Sequence, residues 1–238
     1  MYQKKSLILV YKQPLFEQKN CVRIVYTGQR EGTGEGEIRM NDKFFDLKSE
    51  KQDRMINAAL KVFAQNGYKH ASTDEIVKEA EISKGLLFHY FGSKMGLYCF
   101  LLDYSVKYMT FEFSRTIGEE SDYFSFLEKY EMAKLNVLRN YPYMNEFIEG
   151  CLNESREDMD ETGSAALISY NEMLDRYKSK LAQPNLKEGV DRKAFENIID
   201  YTIKGLTVAN MGSESFKPEK LNKEIIEYLN VFKILAAK

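Results

Sequence analysis

Ser83-Lys84-Gly85-Leu86-Leu87-Phe88-His89-Tyr90-Phe91-Gly92-Ser93-Lys94 is the stretch on which the fold turns. Leu87 and Phe91 stand four apart, one helical turn, and both belong to a core. Ser83 supplies a side-chain oxygen for the first turn, and Gly92 can take the left-handed conformation that ends a short helix. Ser93 caps a much longer helix, from about Lys94 to Thr116. Upstream, Thr73 is expected to cap a helix whose first turn carries Asp74 and Glu75, acids that suit the positive end of the dipole. That helix reaches about Ala80 and buries Ile76, Val77 and Ala80, and Glu81 to Ser83 form a tight connection. Further back, Met55, Ile56, Ala59, Leu60 and Phe63 recur at spacings of three and four, an apolar stripe on a helix that Gly67 stops.

Two short helices joined by about three residues and backed by a third make a helix-turn-helix. Charge agrees with a nucleic-acid partner: from Ile82 through Leu102 there is no acid, only Lys84, His89 and Lys94, whereas Asp74 to Glu81 holds four acids. A helix that faces phosphates has an electrostatic reason to exclude carboxylates. An ordinary three-helix packing unit is the bland alternative. With 34 basic and 36 acidic residues, a net charge of −2, a globally basic coat is excluded and any DNA contact is local.

Phe63-Ala64-Gln65-Asn66-Gly67-Tyr68, Ser72-Thr73, Ile76 and the stretch from Ser83 to Lys94 resemble the N-terminal signature of tetracycline-repressor (TetR/AcrR) transcriptional regulators. The resemblance covers roughly residues 52 to 98, in order and at the expected spacing. It implies an all-α fold: an N-terminal three-helix DNA-binding domain with a helix-turn-helix, then a larger helical domain for effector binding and dimerisation. It also implies roles. Lys84 and Gly85 would open the recognition helix on the floor of the major groove, lysine donating to guanine O6 or N7 and glycine letting the backbone approach. Thr73 would bond a phosphate at a helix N-terminus, His89 and Tyr90 would reach the groove walls, and Lys94 would neutralise one more phosphate. Phe88 departs from the family, which usually has tyrosine there. It keeps a packing or thymine-methyl contact and loses a backbone hydrogen bond. Against these roles stand plainer ones: Tyr90 as packing, His89 and the lysines as solvated side chains, His70 as a loop residue.

The signature divides the chain into a DNA-binding domain over 40–98 and an effector and dimerisation domain over 99–238. The larger half reads as helices over roughly 122–140, 142–153, 162–182, 190–211 and 218–237. Pro142 and Pro218 suit first-turn positions, and Pro184-Asn185 with Gly189 marks a loop. The last two helices carry broad apolar faces: Phe195, Ile198, Ile199, Thr202, Ile203 and Leu206 on one, Leu221, Ile225, Leu229, Phe232 and Leu235 on the other. In the resembled family such helices pair with those of a second subunit as a four-helix bundle, and Gly205 and Gly212 would permit close approach. Alternatively the faces close the monomer's own core. Aromatics and methionines from Tyr104 to Tyr177 could line an adaptable apolar pocket, though at helical spacing most are core, and no ligand-binding residue is singled out. Glu146, Glu149, Glu154, Glu157, Asp158, Asp160 and Glu161 could attract a cation, but such an acidic run is more often a solvated face.

Residues 1–39 differ from the rest: two short β-prone runs and the glycine-rich polar stretch Thr27 to Gly36. They are an accessory or disordered arm, or translated leader. Gly34-Glu35-Gly36-Glu37 would be encoded by a purine-rich run like a bacterial ribosome-binding site, ending two codons before Met40. A start at Met40 leaves 199 residues, from 238 less 39. Intact mass from the native locus decides it.

Catalysis is not expected. Two histidines leave little for a Ser-His-Asp triad or a histidine metal site, and Gly32-Thr33-Gly34-Glu35-Gly36 lacks the strand and helix of a nucleotide loop. Cys21, Cys99 and Cys151 lie far apart and form no metal-ligand pair, which fits a reduced, cytoplasmic setting. No cofactor, metal or membrane is expected. The expected function is a ligand-responsive regulator, most simply a repressor, that binds a palindromic operator as a homodimer and is released by a small molecule. A helical interaction module without specific DNA binding and a small-molecule enzyme are the rivals.

Overall fold

The computed structural model describes residues 42–120, 122–153, 161–181, 183–211 and 216–236. Its helices are α1 (Asp42–Phe45), α2 (Ser49–His70), α3 (Thr73–Glu79), α4 (Lys84–Phe91), α5 (Lys94–Ile117), α6 (Tyr123–Asn140), α7 (Met144–Asn153), α8 (Glu161–Lys180), α9 (Arg192–Met211) and α10 (Pro218–Ala236). The all-α expectation holds. The leader reading of residues 1–39, Cys21, the acids from Glu154 to Asp160 and Gly212 lie outside the described residues.

The stripe on α2 is buried at Met55, Ile56, Ala59, Leu60 and Phe63, joined by Ala58 and Val62. Gly67 leaves the helix at φ 67°, a region only glycine enters cheaply, and one further turn closes at His70. His70 therefore sits at a helix end and not in a loop, and it is exposed. Before α2, α1 sinks Phe44 among Tyr90, Phe91 and Phe100, with ring centroids 5.7, 5.1 and 5.3 Å away. Gln52 fixes the turn between α1 and α2 by donating to the Phe45 and Leu47 carbonyls at 3.0 and 2.7 Å. The helical stripe alone gave no hint of this aromatic plug.

α5 is the central strut. Leu97 to Leu102 are all buried, so the helix is covered on every side near its start. It packs against α2 and α4 at one end and against α6 and α8 along its length. One buried cluster consequently runs through position 98: Phe63 of α2, Tyr98 of α5 and Phe147 of α7 bring their rings within 5.1 to 6.2 Å of one another. A second, smaller cluster joins Tyr123 and Phe124 of α6 to Phe195, Ile199 and Ile203 of α9 and Leu221, Ile225 and Leu229 of α10.

Two proline expectations part company. Pro218 opens α10 as a first-turn residue. Pro142 does not open α7, which starts at Met144; it occupies the second position of a turn closed by the Met144 N–H on the Tyr141 carbonyl at 3.1 Å. The segment between α8 and α9 is tied to the end of α10 by Lys187, whose backbone N–H donates to the Ala236 carbonyl and whose ammonium donates to the Ile234 and Leu235 carbonyls, at the negative end of that helix. Among the described residues no helix is long and apolar enough to cross a membrane.

Candidate nucleic-acid interface

Each helix of the motif is punctuated by a serine. Ser72 accepts from the Asp74 N–H at 3.2 Å, Ser83 from the Leu86 N–H at 3.2 Å and Ser93 from the Gly96 N–H at 2.9 Å. The cap of α3 is therefore Ser72, one residue before the expected Thr73. Ser72 has the extended backbone a cap needs (φ −100°, ψ 126°), and Thr73 is the first helical residue. Both carry a hydroxyl, so sequence alone did not separate them.

α3 ends in a left-handed residue without a glycine. Glu81 adopts φ 52°. The Ile82 N–H reaches the Val77 carbonyl at 3.0 Å and the Glu81 N–H the Lys78 carbonyl at 3.2 Å, the paired bonds of a Schellman motif. Val77 and Ile82 both pack on the core beside it. The side chain of Glu81 lies outward, with a carboxylate oxygen 3.4 Å from Arg54 of α2. Glu79 pairs with Lys61 of α2 at 2.7 Å. Two acids of this segment thus tie it to α2.

Leu87 and Phe91 anchor α4 in the core, while Lys84, Gly85 and His89 are exposed and Phe88 and Tyr90 half-buried. Gly85 and His89, four apart, lie on the side of α4 away from Leu87 and Phe91; Lys84 clears the core as the first residue of the helix, and Phe88 lies on its flank. A Cβ built on Gly85 would meet nothing within 4 Å, so this glycine leaves open space at the surface. Tyr90 leans on Phe44 and stacks edge-on against His89, centroids 5.2 Å apart. Its packing role is therefore present whatever its hydroxyl does. Lys94 opens α5; its ammonium sits 4.7 Å from the Tyr68 ring centroid and donates to the Lys69 carbonyl at 3.3 Å, stitching α5 to the last turn of α2. Thr73 is half-buried at the start of α3. Lys84 donates to both carboxylate oxygens of Asp74, at 2.8 and 3.0 Å, a partner the sequence did not suggest.

Behind this surface a buried polar chain crosses from α2 into the larger half. The Tyr141 hydroxyl donates to Asp53 at 3.0 Å and lies 2.7 Å from the Tyr104 hydroxyl. Burial, then the neighbouring Tyr104 and Asp53, push the Tyr141 phenol far above its ordinary value. Asn140 donates to the Tyr108 hydroxyl at 2.9 Å, and Asn57 of α2 to the Asn140 carbonyl at 3.2 Å. Much of the aromatic set weighed as a pocket is plain core: Tyr104, Tyr108, Met109, Phe113, Phe126, Met144, Phe147 and Met173 are all buried in one cluster. Among the described residues no cluster of histidine, cysteine or carboxylate side chains could hold a metal ion.

Residues 55–98 match the family model of the bacterial regulatory proteins, tetR family. Over those residues the chain resembles the N-terminal DNA-binding domain of that family. It is similar to the uncharacterized HTH-type transcriptional regulator YuxN of Bacillus subtilis, 29% identical over 181 residues, 68% of this chain and 60% of YuxN. It is also similar to the HTH-type transcriptional regulator QacR of Staphylococcus aureus, 38% identical over 52 residues, 22% of this chain and 28% of QacR. The aligned part therefore spans less than two thirds of either relative. A TetR family regulator from Chloroflexus aurantiacus shares the fold at 18% identity and a TM-score of 0.55, over 83% of this chain and 98% of that one. One from Marinobacter aquaeolei does so at 16% identity and a TM-score of 0.50, over 79% and 96%. The matched family is one of bacterial regulatory proteins, and both relatives are HTH-type transcriptional regulators.

Proposed function

We propose that this chain is a cytoplasmic, ligand-responsive transcriptional regulator of the TetR family that binds a palindromic operator as a homodimer and is released by a small molecule. Its strongest support is α4: Lys84, Gly85 and His89 are exposed, Phe88 is half-buried beside them and no acid stands on the helix, while Leu87 and Phe91 fix it in the core. A rigid helix with a basic, glycine-notched outer face fits the major groove. In this reading Lys84 and Gly85 meet base edges, Phe88 a thymine methyl, and Thr73, His89, Tyr90 and Lys94 the phosphates that set register. The domains are 40–98 for DNA and 99–238 for effector and dimer, with α5 as their shared strut.

Dimerisation through α9 and α10 has its own support. Tyr201, Val208, Val231, Ile234 and Leu235 are between 50 and 75% exposed on these two helices, although Ile199, Ile203, Leu221, Ile225 and Leu229 already close the monomer's core. Large apolar groups left outside a filled core are what an isologous helix-pair interface buries. A two-fold dimer also places two recognition helices about 34 Å apart, one DNA turn. The effector, in turn, would favour a dimer whose helices no longer match that spacing, and operator DNA would weaken effector binding by the same factor.

The test is a fluorescence-anisotropy titration on the DNA upstream of its own gene against scrambled duplex at two salt concentrations. A preference of roughly 10³-fold with a steep salt slope is expected, and Lys84→Ala should erase the preference. A folded dimer that binds no duplex, including pools selected for binding, would instead indicate an interaction module.

A further inference from the structure

The pair between Lys84 and Asp74 is an odd arrangement for a DNA reader. Of the acids flanking α3, Glu79 and Glu81 pair with Lys61 and Arg54 of α2 and serve the fold. Asp74 instead sits in the first turn of α3 and holds the one lysine of α4, ammonium to both carboxylate oxygens at 2.8 and 3.0 Å. Neither side chain is sheltered: Lys84 is 49% and Asp74 73% exposed, so the pair adds little to folding stability. It stands where the motif would meet a duplex. An acid there repels phosphates and silences the nearest cation, which weakens any binding that depends on backbone charge alone.

We propose that Asp74 is a specificity-determining residue: it restrains Lys84 so that the ammonium reads a base edge and does not act as a mobile phosphate anchor. This rests on the DNA-reading function proposed above. A lysine ammonium has three N–H donors. With the carboxylate taking one side, a donor stays available for guanine O6 or N7 when the correct base is in register. On a wrong sequence no such acceptor is offered, and the ammonium would have to abandon Asp74 to reach a phosphate. The carboxylate left behind would then face the duplex unpaired. Asp74 thereby penalises non-specific complexes more than the specific one, and discrimination rises without any new contact to the correct site. It also fixes the orientation of a long side chain that would otherwise sample many rotamers.

The experiment measures the full-length protein and its Asp74→Asn, Lys84→Ala and doubly substituted forms on a selected operator and on scrambled duplex, across a salt series. Asparagine keeps the size and the cap at Ser72 intact, and circular dichroism with a melting curve checks folding. Asp74→Asn is expected to bind scrambled duplex roughly three- to tenfold more tightly at low salt, with a salt slope steeper by about 0.9, the release of one further counterion. Operator affinity should change less, so the specificity ratio falls. In the Lys84→Ala background the same substitution should lose most of that effect. Unchanged or weaker scrambled binding by Asp74→Asn would overturn the proposal, as would an equal gain on both duplexes or a gain that persists without Lys84, which marks plain charge repulsion. Failure of the unsubstituted protein to prefer any sequence overturns the DNA-reading function itself, a separate result.

Discussion

A methyl group on Gly96 would collide with the carbonyl oxygen of Phe91, whereas one on Gly85 would meet nothing. These two glycines therefore part sharply under the same substitution. Gly96→Ala should destabilise the fold by about 1–3 kcal/mol, because backbone and not a pliable side chain stands in the way; urea denaturation reads it. Gly85→Ala should hold or raise stability by about 0.5–1 kcal/mol, since glycine weakens a helix. Its effect belongs to DNA, where the added methyl should cost about tenfold in operator affinity while scrambled binding stays level. Gly85 was legible in the sequence as part of the signature. Gly96 was not, because its constraint comes from the preceding helix folding back over it. Ser72 and Glu81 belong with Gly96: which hydroxyl caps α3 and which residue turns left-handed depend on backbone angles that the residue types leave open.

At the scale of elements, the decisive joint is where α2 meets α5 and the α6–α7 corner. Asp53, Tyr141 and Tyr104 share hydrogen bonds of 3.0 and 2.7 Å there. Tyr141→Phe removes the shared hydroxyl and should cost about 1–3 kcal/mol, measured by thermal or urea unfolding. The pH dependence has a definite sign. Burial raises the Tyr141, Tyr130 and Tyr170 phenols, and pushes Tyr123 up to about 12. In the unfolded chain these groups lose their protons near pH 10. Above that value the native state binds more protons than the unfolded one, so stability falls as pH rises; below it both states are fully protonated and these tyrosines contribute no slope. Alkaline unfolding should begin near pH 10, continue past 12, and run less steeply in Tyr141→Phe. A limb of equal slope in that variant would mean the phenol is not held neutral.

For the whole molecule, the exposed apolar residues of α9 and α10 carry the expectation of a partner. Val208 and Ile234 are 75 and 74% exposed, so a charge at either place should leave the monomer folded. Val208→Glu with Ile234→Glu should shift the mass measured by light scattering from dimer to monomer and reduce operator affinity by two orders of magnitude or more, as one half-site is read without the other. A dimer that persists with both glutamates would place the interface elsewhere. The sequence had offered Ile198 and Leu235 together with Ile199 and Leu229 as continuous faces; the fold divides them, with Ile199 and Leu229 inside and Ile198 and Leu235 51 and 66% exposed. Each of these helices thus carries an inner and an outer apolar face, which a single apolar stripe does not announce.

Helix positions, the motif and its outward residues were set by the sequence, because periodicity, serine caps and terminal glycines act over a few residues and are written in order along the chain. The five helices expected after residue 118 all lie within two residues of where they form. Contacts between segments distant in the chain were decided only in three dimensions. The seat of Phe44 under α4, the hydroxyl chain from Asp53 to Tyr104, the grip of Asp74 on Lys84 and the collision that forbids a side chain at Gly96 all depend on how close packing brings helices together. Packing is a property of surfaces meeting, and no local pattern of residue types specifies which atoms will face each other across a joint.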